Sequence, residues 1–196
     1  FAQFEVIEWL ARGPDGLVFA MIERVAPELE GWPQLREMSR LFNATQIVTD
    51  LPEARKFYER VLGFQPYLEY SSASAKEGPN VLGLPHNLAD DIRRDIAILS
   101  PDGNNEGSIE LLSFDGLTGA DFSHRAIPPN LGILMLRFPT DDLSALHKHL
   151  QASDVEIAFA PIRINLPPYG DVMLMAARGP DGVWLEFYQT VTTLAD

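Results

Sequence analysis

Two carboxylates stand out by their surroundings. Glu110 lies in Ile109-Glu110-Leu111-Leu112 and Glu186 in Leu185-Glu186-Phe187-Tyr188, each a single acid inside an apolar run. A carboxylate is costly to bury unless it meets a cation, a hydrogen-bond donor or a metal ion. Three chemistries suit such a pair. They can ligate a metal; if their charges face each other, one pKa rises and that group becomes a general acid or base; or each pairs structurally with an arginine such as Arg137. Strand alternation places Trp184 and Tyr188 on the face of Glu186, and Leu112 and Phe114 on the face of Glu110. The acids therefore sit among aromatic and aliphatic side chains that either line a pocket or pack as core.

Imidazole is the other group able to join such chemistry. His147 and His149 are two apart on an expected helix and so point from different faces, which suits solvent better than a shared ligand. His86 falls in a long loop and His124 in a connector; either can fold over a cleft, although their spacing marks no ligand pair. The chain has no cysteine, which removes disulfides, thiolate metal sites and cysteine nucleophiles. It also lacks a phosphate-binding glycine loop ending in Lys-Ser/Thr, a G-x-G-x-x-G stretch and a G-x-S-x-G elbow.

The elements that position these residues repeat. Ala-Arg-Gly-Pro-Asp-Gly occurs at 11–16 and again at 177–182, with Ser-Pro-Asp-Gly at 100–103; Pro and Gly in this order make tight turns. The first turn joins apolar strands over 4–10 and 17–25 into a hairpin, which is marginal in isolation. Residues 1–26 thus read as the tail of a preceding module, and 27–40 as a linker with a short helix through Trp32, Leu35 and Met38. A first complete module spans 41–115. It has a strand, a helix begun by Asp50 with Glu53 three residues on and stopped by Gly63, a strand from 64 to 70, a long loop over 71–91, and two strands around Ser-Pro-Asp-Gly. After a connector at 116–130 the pattern restarts over 131–190. Here a strand is expected over 131–138, a helix capped by Thr140 or Asp141 carries Leu143, Leu146 and Leu150, and strands follow at 155–160, 172–177 and 183–189.

Composition narrows the partners. With 28 acids against 15 Lys and Arg, a net charge of −13 and a pI near 4.6, the chain offers no cationic face for nucleic acid or an anionic membrane. Its 46% hydrophobic content supports a folded core. A small-molecule ligand and a cytoplasmic location are the expectations, and the unpaired hairpin points to pairing either with upstream residues or with a second chain in a homodimer.

The motifs Val48-Thr49-Asp50-Leu51, Phe57-Tyr58 and Val61-Leu62-Gly63-Phe64, with the closing Gly179-Pro180-Asp181-Gly182 leading to Glu186, resemble the vicinal oxygen chelate superfamily of glyoxalase I, bleomycin-resistance proteins and extradiol dioxygenases. The resemblance covers about residues 41–190. It implies an α+β fold of paired βαβββ modules forming a curled mixed sheet around a cleft. It further implies one divalent metal, such as Zn, Ni or Fe, held from the first and last strands of the modules. The last-strand positions match in Glu110 and Glu186, which become the expected metal and catalytic residues. The first-strand positions carry Asn43 and Ile133, or Met135 with a shift of two, and the first hairpin has Ala20 where Glu would fall. An aliphatic side chain has no lone pair and a thioether is soft. The resemblance therefore implies a small-molecule-binding cleft with a degenerate metal site, in which Asn43, Thr45, Leu112, Met135, Arg137, Trp184 and Tyr188 contact the ligand. The alternative is a metal-dependent lyase of the glyoxalase I type or an extradiol-type dioxygenase that uses Glu110 and Glu186.

Overall fold

The computed structural model describes residues 5–28, 30, 36–72, 80–87, 89–127 and 129–191. Two compact units emerge, each built from two stretches of chain: residues 1–47 with 64–118, and 48–63 with 119–196. Among the described residues no helix is long and apolar enough to cross a membrane.

In the first unit the hairpin pairs β1 (Glu5–Arg12) antiparallel with β2 (Val18–Ala26). Its turn closes with Gly16 N–H donating to Gly13 O at 3.0 Å, and Gly16 has φ 81°, a backbone state that suits glycine. Ile7, Trp9, Leu10, Val18 and Ile22 of this hairpin are exposed. The main sheet has the order β3 (Asn43–Ile47), β6 (Ser108–Phe114), β5 (Arg94–Ser100), β4 (Gln65–Ser72), with β3 parallel to β6 and the other pairs antiparallel. One face of this sheet packs Ile96, Ile98 and Leu112 with Leu68, Tyr70, Leu82 and Phe114. The described part of the long loop is packed too. Asn80 bridges both main-chain groups of Leu84 at 2.9 Å, and Leu84, Ala89 and Ile92 form a buried cluster. Trp32 and Leu35, expected to mark a linker helix, lie outside the described residues; residues 36–40, Met38 among them, form no helix.

The second unit repeats the strand order with β7 (Leu136–Pro139), β10 (Trp184–Thr190), β9 (Asp171–Arg178) and β8 (Ile157–Asn165), again with only the first pair parallel. Helix α2 (Leu143–Ala152) packs on it, burying Leu143 and Leu150. The helix starts where Gln189 Oε1 accepts from Leu143 N–H at 3.1 Å, which assigns α2 to the face of Leu185, Phe187 and Gln189. Its N-cap is Asp142, whose Oδ1 accepts from Ala145 N–H at 2.8 Å, rather than Thr140 or Asp141. In a run of three capping-type residues the sequence does not say which one is extended, and Asp142 holds that conformation.

Helix α1 (Leu51–Lys56), continued by a π turn over Phe57–Val61, also belongs to the second unit. Asp50 caps it, accepting from Glu53 N–H at 3.0 Å, and Gly63 ends it at φ 75°. Three contacts seat it in that unit. Asp181 of the last turn accepts from Thr49 N–H at 3.1 Å and from the Thr49 hydroxyl at 2.6 Å; His149 Nε2 lies 2.9 Å from Val61 O; and a Cβ built on Gly179 would sit 3.4 Å from the Phe57 ring. One strand expectation is corrected. The strand expected over 131–138 begins only at Leu136, because the chain turns at Gly132 (φ 100°), so Ile133 and Met135 precede the sheet and Ile133 is exposed.

Candidate functional site

The repeated strand order places Glu110 and Glu186 at matching positions, each on the fourth strand of its sheet beside the parallel first strand. Their surroundings differ. Glu110 stands in register with Thr45 on β3 and Ile98 on β5, so it shares the face of the Ile96–Ile98–Leu112 cluster. Asn43 Nδ2 donates to Glu110 Oε2 at 3.4 Å, a long bond. Burial pushes the Glu110 pKa up, the charge of Glu8 on the hairpin adds to this, and the Asn43 amide offsets part of it. Tyr70 joins the cluster. Burial raises its phenol pKa, the Glu110 and Glu8 charges raise it further, and Arg94 opposes them.

Glu186 is 6% exposed and stands in register with Arg137 on β7. Its Oε2 accepts from Arg137 Nε at 2.7 Å and Nη2 at 2.6 Å, so the buried carboxylate meets a full counter-charge. Arg137 Nη2 also lies 3.7 Å from Met135 Sδ, which brings Met135 to the pair from outside the strand. On the same face of the sheet, Arg178 lies 4.5 Å over the Trp184 ring and is held by donating Nη1 to Gly182 O at 2.9 Å. Phe159 packs against Trp184 at 6.2 Å and Tyr169 against Tyr188 at 4.6 Å. Burial, then the neighbouring Tyr169, raises the Tyr188 pKa, and Arg137 works against both.

Expected ligand-contacting residues thus gather in two places: Asn43 and Thr45 around Glu110, and Met135, Arg137, Trp184 and Tyr188 around Glu186. Leu112 is core, 3% exposed. Of the histidines, His86 is exposed, His147 is half-buried, and His124 lines a shallow depression of about 420 Å³ with Ser123, Glu156 and Arg178. Among the described residues no three His, Cys, Asp or Glu side chains are gathered to hold a metal ion. The donors beside Glu110 and beside Glu186 are, among the described residues, fewer than a divalent ion takes. A guanidinium already binds the Glu186 carboxylate, and Asn43 with Glu110 supplies one amide and one acid, whereas such sites take three or more protein ligands with imidazole prominent.

Sequence reasoning passed over Glu8 and Asp181. Glu8 was findable, since Val6-Ile7-Glu8-Trp9-Leu10 is a third lone acid in an apolar strand. Asp181 was not, because its role depends on φ 53° and on a partner far away in sequence.

Comparison with solved structures shows the same architecture elsewhere. A glyoxalase family protein from Bacillus cereus is 24% identical with a TM-score of 0.63, over 80% of this chain and 97% of its own. A variant of glyoxalase I from Zea mays is 21% identical with a TM-score of 0.61, over 94% of this chain and 54% of its own, so this chain spans about half of it. The trypanothione-dependent glyoxalase I of Leishmania major is 18% identical with a TM-score of 0.52, over 78% of this chain and 87% of its own. No curated protein sequence matches. The sequence profile of one family matches residues 40–187, three-quarters of the chain, and with the repeated sheet order this places the chain in the Glyoxalase/Bleomycin resistance protein/Dioxygenase superfamily.

Proposed function

We propose that the chain is a small-molecule-binding member of its superfamily in which metal-dependent chemistry has been given up. The Arg137–Glu186 pair carries this reading, with two N–H donors on one carboxylate oxygen at 2.6 and 2.7 Å. A divalent ion at Glu186 would have to displace the guanidinium or tolerate its like charge at contact distance, and both are costly in a site of low polarity. Metal content tests it. Protein exposed to Zn, Ni or Fe and then desalted is expected to retain well under one ion per chain. A stoichiometric ion that is lost in Glu186→Ala would overturn the proposal and restore the lyase or dioxygenase reading.

A second reading concerns Glu110, whose burial raises its pKa above the ordinary carboxylate range, a shift in the direction that general acid or base chemistry uses. It predicts that the Glu110 carboxyl carbon titrates above the usual glutamate range in an NMR pH series. Titration at or below that range rules it out.

A further inference from the structure

We infer that Arg137 holds the position of the expected metal charge as a ligand-recognition group, and that the second unit binds an aromatic monocarboxylate through it. This rests on the reading above, in which the Glu186 position carries an ion pair.

A guanidinium offers donors in two forks, a side-on fork of Nε with one Nη and an end-on fork of the two Nη groups. Glu186 Oε2 takes the side-on fork. The end-on fork remains, with Met135 Sδ at 3.7 Å from Nη2 as its one weak acceptor among the described residues. The side chain of Arg137 is 29% exposed against 8% for Glu186, so the pair turns its cationic end toward the accessible side. An end-on fork matches the two oxygens of a carboxylate and receives them as parallel charge-assisted bonds. Glu186 fixes the guanidinium in one orientation beforehand, which lowers the ordering cost of binding; it is the positioning residue and Arg137 the recognition residue.

The surroundings define the rest of the ligand. Trp184 and Tyr188 flank Glu186 on the face away from α2, with Phe159 and Tyr169 packed against them. Trp184 Nε1 is buried and has no hydrogen-bond partner among the described residues, an unpaired donor two residues from Glu186 on the same strand face. A flat, apolar ring suits this wall. Charge sets the valence. Arg137 already shares its charge with Glu186, so a single carboxylate is held by the two N–H donors of the fork rather than by a net charge. A second negative charge on the ligand would add to the repulsion from Glu186.

The test uses the full chain with benzoate as probe and benzamide as its neutral isostere. Benzoate is expected to shift the Arg137 Nε–H and Trp184 indole N–H resonances saturably and to bind at least tenfold more tightly than benzamide. Arg137→Lys keeps the charge and removes the fork; it is expected to weaken benzoate at least tenfold and to weaken benzamide less than benzoate. Equal binding of the two probes, no saturable shift at either residue, or an Arg137→Lys protein that binds benzoate like the parent would each overturn the inference. If that variant does not fold, the comparison of probes on the parent decides alone. Metal content of the same sample separates the two readings: a stoichiometric ion defeats the proposed function, whereas metal-poor protein indifferent to benzoate defeats only this inference.

Discussion

Glu110 and Glu186 occupy the same place in two copies of one sheet, yet only Glu186 has a cation in register. If the Arg137–Glu186 pair is the electrostatic anchor of β7 on β10, Arg137→Met strands a carboxylate that is 6% exposed and costs about 3 kcal/mol, or roughly 6–12 °C in Tm. Adding Glu186→Leu removes the stranded charge and is expected to restore most of the loss, since apolar replacements of both partners are often neutral. A double variant as unstable as the single one would show that the cost lies in packing. For Glu110 the sign is opposite. Its folded pKa is raised, so its contribution to stability is present below the ordinary carboxylate range and is lost as pH rises through the folded pKa. Glu110→Gln, which cannot ionise, should melt above the parent protein at pH 7, with the gap closing as pH falls below about 4. An equal gap at pH 3.5 and pH 7 would contradict the assignment.

At the scale of elements, the three Pro-Asp-Gly turns look alike in sequence and do different work. Asp102 satisfies its own turn, accepting from Asn104 N–H and Nδ2, both at 3.0 Å. Asp181, at positive φ, reaches instead to Thr49 at the start of α1. Asp181→Ala is therefore expected to cost about 1–2 kcal/mol and to speed amide exchange over residues 50–56, while Asp102→Ala leaves exchange in α1 unchanged. Identical exchange in the two variants would remove Asp181 from the seating of α1. Gly179 is a tighter constraint on the same turn, since a Cβ there would lie 2.8 Å from Val183 Cγ1 and 3.0 Å from Leu185 Cδ1. Gly179→Ala should lower stability by about 1–3 kcal/mol through overpacking, as read by denaturant midpoint. The same turns show what a sequence can reveal. Asp50 and Gly63 were legible as the ends of α1 because caps are local chemistry. The late start of β7 was not, since Leu131, Ile133 and Met135 alternate like a strand and only the backbone at Gly132 breaks it. The ligand pair of Glu186 was half legible: Arg137 stood out as a cation near the strand, but its register with Glu186 is a property of the parallel pairing.

For the whole molecule the division into units does not follow the order of modules in the chain. The repeat predicts where strands and helices fall, and the strand orders agree with it. What the repeat cannot say is which part of the chain each helix is seated against. The apolar face of the first helix, with Ala54, Phe57, Tyr58, Val61 and Leu62, states that it must be buried, and an apolar stripe fits any apolar surface of suitable shape. The partner is chosen by specific contacts: Asp181 at its start, Gly179 against Phe57, and His149 at Val61 O near its end. Tyr58 is 0% exposed, so a helix detached from the fold would bare a large aromatic side chain. A fragment of residues 119–191 should accordingly give poor amide dispersion and a broad thermal transition, and a synthetic peptide of residues 48–63 should bind it and sharpen both. The capture depends on Asp181, so a 119–191 fragment carrying Asp181→Ala should bind the peptide less tightly, by about tenfold if the two Thr49 bonds are worth about 1.4 kcal/mol. A fragment that folds cooperatively alone and ignores the peptide would mean that the second module is self-sufficient and that α1 is carried by its own module after all.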